Sequence, residues 1–178
     1  IRQNELAFAS ILPKYSNNKR SGDIWKSRGP NNQGGRTRAI ALDVNNSNTI
    51  LAGSATGGIY KSTDAGQTWT KAKCPANAIT CIVQDTRDGK TNIWYAGTGE
   101  LSGSSGTATG AYYYGQGIFK STDGGNTWAV IPFTNGGSTT TFDSDFDGVW
   151  NIAIDFSNTT QDEIYAATYG GIYKTIDG

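Results

Sequence analysis

The chain has 178 residues, and its fifteen Lys and Arg balance fifteen Asp and Glu, so a whole-surface basic footprint for nucleic acid is excluded. There is no histidine, which removes imidazole general bases, Ser-His-Asp triads and imidazole metal sites. With 24 Gly, 36% apolar and only 17% charged residues, the composition is that of short strands joined by tight turns. No apolar run approaches the ~20 residues that a membrane-spanning helix needs.

Residues 1–22 read as an N-terminal extension: IRQNELAFASILPKY is too broken by charge to be a signal-peptide core, and a start at Ile1 points to a processed end. Residues 1–38 carry eight basic side chains against two acidic ones, and the remainder carries seven against thirteen. This is a solvated basic tail beside an acidic body, or a contact for an acidic partner. Ile24-Trp25-Lys26-Ser27, within 23–30, has the look of a single closing strand. Gly34-Gly35-Arg36, followed by Arg38, reads as a turn into a strand, not as a phosphate loop, because no helix pattern follows.

From residue 36 onward the sequence repeats itself. GGIYKSTDAGQTW (57–69), QGIFKSTDGGNTW (116–128) and GGIYKTIDG (170–178) align, with aspartates Asp64, Asp123 and Asp177 spaced by 59 and 54 residues. Each is preceded by a strand ending in small residues (TILAGS 49–54, NIWYAGT 92–98, EIYAAT 163–168). Before that comes an alternating run ending in an acid (RAIALD 38–43, TCIVQD 80–85, WNIAID 150–155). A fourth strand is expected to open at Trp69 and at Trp128. Four short strands per repeat describe an all-β chain built of four-stranded antiparallel β-propeller blades. The expected boundaries are blade 1 at about 36–75, blade 2 at about 78–134 and a truncated blade 3 at about 148–178. About three blades make an incomplete ring, so the chain reads as the N-terminal part of a longer protein.

The turn itself has a physical logic. In Ser62-Thr63-Asp64-Ala65-Gly66-Gln67-Thr68-Trp69 the carboxylate can take bonds from turn amides and hydroxyls, and Gly66 supplies a positive φ. Ser121, Asp123, Gly125 and Trp128 repeat the arrangement, and Asp177 begins it again. These are expected to be folding devices, and no catalytic residue is assigned.

The repeated turn resembles the Asp-box, S/T-x-D-x-G-x-T-W, of the BNR/Asp-box β-propellers. That group includes sialidases, sortilin-type propellers, a photosystem assembly factor and xyloglucan-cleaving endoglucanases. IWKSRGPNNQGGRTRAIALD is similar to the start of secreted bacterial propellers of this type. The resemblance implies a secreted or cell-surface module that binds a protein, peptide or glycan, with export machinery as a further partner through a C-terminal sorting domain. It implies, as the alternative, a glycoside hydrolase of endoglucanase type. The sialidase pattern fails, because Ile131-Pro132 follows Val130 where an arginine is required. The endoglucanase resemblance would place an acid before the first Gly-Gly, where Ser54-Ala55-Thr56-Gly57-Gly58 has none.

Two further candidates stand outside the turns. Asp143, Asp145 and Asp147 in DSDFDG, with Asn151 at position nine of the loop, resemble a calcium loop, although Ile154 replaces the bidentate Glu; no cofactor is otherwise required. Glu100, with Tyr112, Tyr113 and Tyr114, flanks an insertion of about 17 residues in the second unit, and such a loop stands at a propeller rim. The tyrosines are expected either to grip a sugar or peptide or to cover a blade edge. Cys74 and Cys81 are either a disulfide or two small apolar residues, and no zinc pattern accompanies them.

Overall fold

A computed structural model describes residue 28 and residues 36–101 and 112–178. The extension at 1–22, nearly all of the expected closing strand at 23–30 and most of the blade 2 insertion lie outside the described residues. Within them the fold is all-β. The first sheet has the order β1 (Thr37–Leu42), β2 (Ile50–Ser54), β3 (Gly58–Ser62), β4 (Thr70–Lys71). The second has β5 (Ile79–Gln84), β6 (Trp94–Thr98), β7 (Ile118–Ser121), β8 (Ala129–Val130), and the third has β9 (Val149–Ile154), β10 (Ile164–Thr168), β11 (Ile172–Thr175). Neighbouring strands are antiparallel throughout. The first strands pack side by side in the order β1, β5, β9, so the sheets stack as successive propeller blades.

Three local rules of sequence produce this repeat. Each first strand ends one residue before an aspartate. The carboxylates of Asp43, Asp85 and Asp155 accept bonds from the amides of Asn45, Arg87 and Ser157 at 2.8, 3.1 and 2.9 Å, which are Asx turns leading out of the strand. Each first strand also carries a bulge at its start, where the register slips between Thr37 and Ala39, between Ile79 and Cys81, and opposite Ala167–Thr168. Third, the second strand holds a glycine against the next blade. A Cβ on Gly53 would lie 2.5 Å from Ile79 Cγ2, and one on Gly97 would lie 2.8 Å from Val149 Cγ1.

The core lies between blades. Leu51, Ile59, Ile79, Trp94, Phe119 and Trp128 fill the space between blades 1 and 2. Tyr95, Ile118, Phe146, Val149, Ile152 and Ile164 fill the space between blades 2 and 3. Strand β6 therefore sends alternate side chains to two cores and is buried along its whole length. Polar links repeat as well: Lys61 donates to the carbonyl of Gly124 at 2.9 Å, and Lys120 donates to that of Gly178 at 2.8 Å. A charged clasp joins the loops beyond β5 and β9, where Arg87 bridges Asp85 (2.5 Å) and Asp162 (2.7 Å) and caps the carbonyl of Asn158. Cys74 and Cys81 are both free thiols, so the disulfide alternative does not hold; burial pushes each up to about 11.

Candidate functional site

The repeated aspartate turns form closed hydrogen-bond rings. Asp64 accepts from the Ser62 hydroxyl (2.8 Å), the Thr68 amide (2.8 Å) and the Thr68 hydroxyl (2.6 Å). Asp123 accepts from Ser121 (2.8 Å), the Thr127 amide (2.9 Å) and the Thr127 hydroxyl (2.7 Å). The serine oxygens in turn accept from the amides of Gly66 (2.8 Å) and Gly125 (2.9 Å), whose φ values of 82° and 85° require glycine. The indoles of Trp69 and Trp128 donate to the carbonyls of those glycines at 3.1 Å. The Thr68 hydroxyl and its companions hold the Asp64 carboxyl down to about 2. At Asp123 burial pushes upward, but the bonds from Thr127 and Ser121 outweigh it and the carboxyl again sits at about 2. Asp177 starts the same ring with Thr175. A carboxylate with this many donors is a poor base.

The rim of blade 2 is different. Here Tyr112, Tyr113 and Tyr114 line a cleft of about 490 Å³, together with Thr98, Gln116, Asn77, Thr139 and Thr140. Tyr112 stacks on Tyr114 with centroids 6.4 Å apart and an interplanar angle of 25°. Tyr114 meets Phe142 at 6.2 Å, and Phe142 meets Tyr169 at 5.1 Å. The result is a row of four aromatic rings running from the end of blade 2 to the β10–β11 turn, with Tyr112, Phe142 and Tyr169 exposed. Nothing in the sequence singles out Phe142 and Tyr169, since neither sits in a repeated pattern. Phe142, on the long loop between blades 2 and 3, links Tyr169 of the β10–β11 turn to the tyrosines.

Glu100 is tied to Tyr113 through the backbone, by paired bonds of 2.7 and 3.0 Å, but its carboxylate does not line the cleft. It is buried, accepts from Arg36 at the entry to β1, and keeps Oε2 without a partner. Arg36 thus joins the entry to blade 1 to the rim of blade 2.

The four expected metal ligands do not come together. Asp145 accepts from the Tyr173 hydroxyl at 2.5 Å and faces Gly170 on the blade 3 side. Asn151 lies on β9 opposite Ala167, its amide oxygen taken by the Ile152 amide at 2.9 Å. The reason is local: Asp145–Asp147 is a 3-10 turn closed by a capping box, in which Ser144 accepts from Phe146 (3.2 Å) and Asp147 accepts from Ser144 (3.1 Å). Among the described residues no group of three Cys, Asp or Glu side chains is placed to hold a metal.

No family model matches the chain. A xyloglucanase of a Paenibacillus species is 30% identical over 128 residues, which cover 62% of this chain and 12% of the relative. A xyloglucanase of Acetivibrio thermocellus is 32% identical over 103 residues, covering 52% of this chain and 12% of the relative. In three dimensions the chain is similar to an ancestral GH74 enzyme, with a TM-score of 0.53 at 25% identity over 79% of this chain and 17% of that one. The Niastella koreensis GH74 enzyme gives 0.52 at 25% identity over 80% and 21%. The chain is thus similar, in sequence and in fold, to part of these xyloglucanase propellers. It spans about an eighth of the length of these curated xyloglucanases. At the β2–β3 turn of this xyloglucanase-like first blade, Ser54 accepts from Gly57 at 3.1 Å and Ala55 is buried, so the turn carries no acid. No helix among the described residues is long and apolar enough to cross a membrane.

Proposed function

We propose that the chain forms part of an extracellular, xyloglucanase-like propeller and that its own part is to hold a β-glucan chain along the rim of blades 2 and 3. The observation that carries this reading is the aromatic row Tyr112–Tyr114–Phe142–Tyr169 at the open cleft of blade 2. Flat, apolar ring faces with hydroxyl edges suit the apolar faces of successive pyranose rings, and Thr139, Thr140 and Gln116 supply polar groups beside them. Cleavage of a glycosidic bond needs two carboxylates flanking it. No Asp or Glu lines the cleft among the described residues. Glu100, a buried acid that does not line the cleft, is paired with Arg36. Binding is therefore assigned to these residues, and any hydrolysis to carboxylates elsewhere.

Isothermal titration with xyloglucan oligosaccharides tests this. The wild-type chain is expected to bind, and the double variant Tyr112→Ala/Tyr114→Ala to lose about tenfold in affinity or more, near 1.4 kcal/mol. Equal affinity in the variant, with its fold intact, would remove the row from the reading. An extended peptide that competes for the cleft while the sugar does not would favour a peptide-binding module instead.

A further inference from the structure

We infer that Asp143 and Asp147 hold a divalent cation, calcium by its chemistry, on the loop that walls the tyrosine cleft. Asp147 is fully buried, and although its Oδ2 accepts from the Asp143 amide (2.7 Å) and the Ser144 amide (3.1 Å), its Oδ1 has no partner at all. A buried, unsatisfied carboxylate oxygen is costly and calls for a proton or a cation. Asp143 lies against the same spot. A Cβ on Gly136 would stand 2.2 Å from Asp147 Oδ1 and 3.0 Å from Asp143 Oδ1, so both oxygens border the space that this glycine leaves open. Asp143 is exposed, which provides the way in from solvent.

Two carboxylates facing one another repel unless something positive lies between them. Calcium suits the place better than magnesium. It accepts six to eight oxygens in irregular geometry, which loop carbonyls and water can complete, whereas magnesium demands a near-octahedral shell. Asp145, the middle acid of the run, is excluded because Tyr173 occupies it. The ion would pin the 135–148 segment, which carries Thr139 and Thr140 to the cleft and Phe142 to the ring of Tyr114. The site itself stands whether or not the cleft takes a glycan.

The test uses the whole chain stripped with chelator. Calcium is expected to bind at micromolar to millimolar concentration by titration calorimetry and to raise the melting midpoint by several degrees. Asp147→Asn and Asp143→Asn are each expected to abolish both effects, while Asp145→Asn keeps them. Should Asp147→Asn fail to fold, Asp143→Asn at the exposed ligand decides the matter in its place. No heat and no shift in wild type at 5 mM calcium would overturn the site, as would a response that survives Asp143→Asn. A midpoint that rises in chelator as pH falls from 7 to 5, with no calcium effect, would also overturn it by showing that the pair shares a proton.

Discussion

Blade 2 carries acidic side chains at both ends, and the two ends treat them in opposite ways. At the repeated turn, Asp123 receives four donors and its neighbouring serine a fifth bond, so the carboxylate is consumed by the fold. At the rim and the loop that follows it, Glu100 and Asp147 are both buried and each keeps one oxygen without a partner. The first arrangement recurs in sequence at Asp64 and begins again at Asp177; the second occurs once. A fold spends its repeated motifs on stability, and the features that depart from the repeat are where binding chemistry is to be sought.

The largest effect is expected where the repeat holds two blades together. Trp128 is buried between blades 1 and 2, whereas Trp69 is half-buried. Trp128→Ala is expected to cost about 3–5 kcal/mol in denaturant unfolding, and Trp69→Ala distinctly less. Equal costs would mean that the indoles act through the turn and not through the interface.

Next comes the inter-blade contact at Gly97. A methyl there would meet Cys81 Sγ at 2.7 Å and Val149 at 2.8 Å, so Gly97→Ala is expected to cost about 1–3 kcal/mol by overpacking. Gly89, with nothing within 4 Å of its added Cβ, is the control for crowding, although its φ of 74° leaves some backbone strain.

The acid limb of the stability curve separates the two kinds of carboxylate. Asp64 and Asp123 are held at about 2, below their unfolded values. Their contribution is thus fully present above about pH 4 and is lost as pH falls toward 2. Asp64→Asn/Asp123→Asn is expected to flatten that limb between pH 4 and 2, read as thermal midpoint against pH. The same double change should leave sugar binding at neutral pH within about twofold. Chelation should do the reverse, lowering sugar affinity through the 135–148 wall while leaving the acid limb unaltered.

The smallest effect concerns the thiols. Burial pushes Cys74 and Cys81 up to about 11, so alkylation at pH 8 should be slow in the native chain and rapid only after unfolding. Rapid native labelling would show that the blades open locally.

Much of the fold is legible in the sequence because each blade repeats its punctuation. The runs 38–43, 80–85 and 150–155 differ from β1, β5 and β9 by one residue at each end. The acids Asp43, Asp85 and Asp155 are the Asx residues that stop each strand, and the bulge admits one more residue at its start. The fourth strands are shorter than a Trp-led strand suggests: Trp69 and Trp128 precede β4 and β8, which pair over two residues each. The site is legible only in part. Three consecutive tyrosines are visible in sequence, but their continuation through Phe142 and Tyr169 depends on a loop that crosses between blades. DSDFDG reads as a three-acid loop until the Ser144 capping box turns Asp145 away from Asp143 and Asp147. That box forms from local hydrogen bonds, which spacing alone does not encode.

Chemical-shift mapping with a xyloglucan oligosaccharide puts the aromatic row to its sharpest trial. Perturbations are expected at Tyr112, Tyr114, Thr139, Phe142 and Tyr169, with the turn residues Asp64 and Asp123 unmoved. A sugar that perturbs the Asp64 and Asp123 turns, or leaves the aromatic row silent at saturating concentration, would contradict the assignment of binding to this rim.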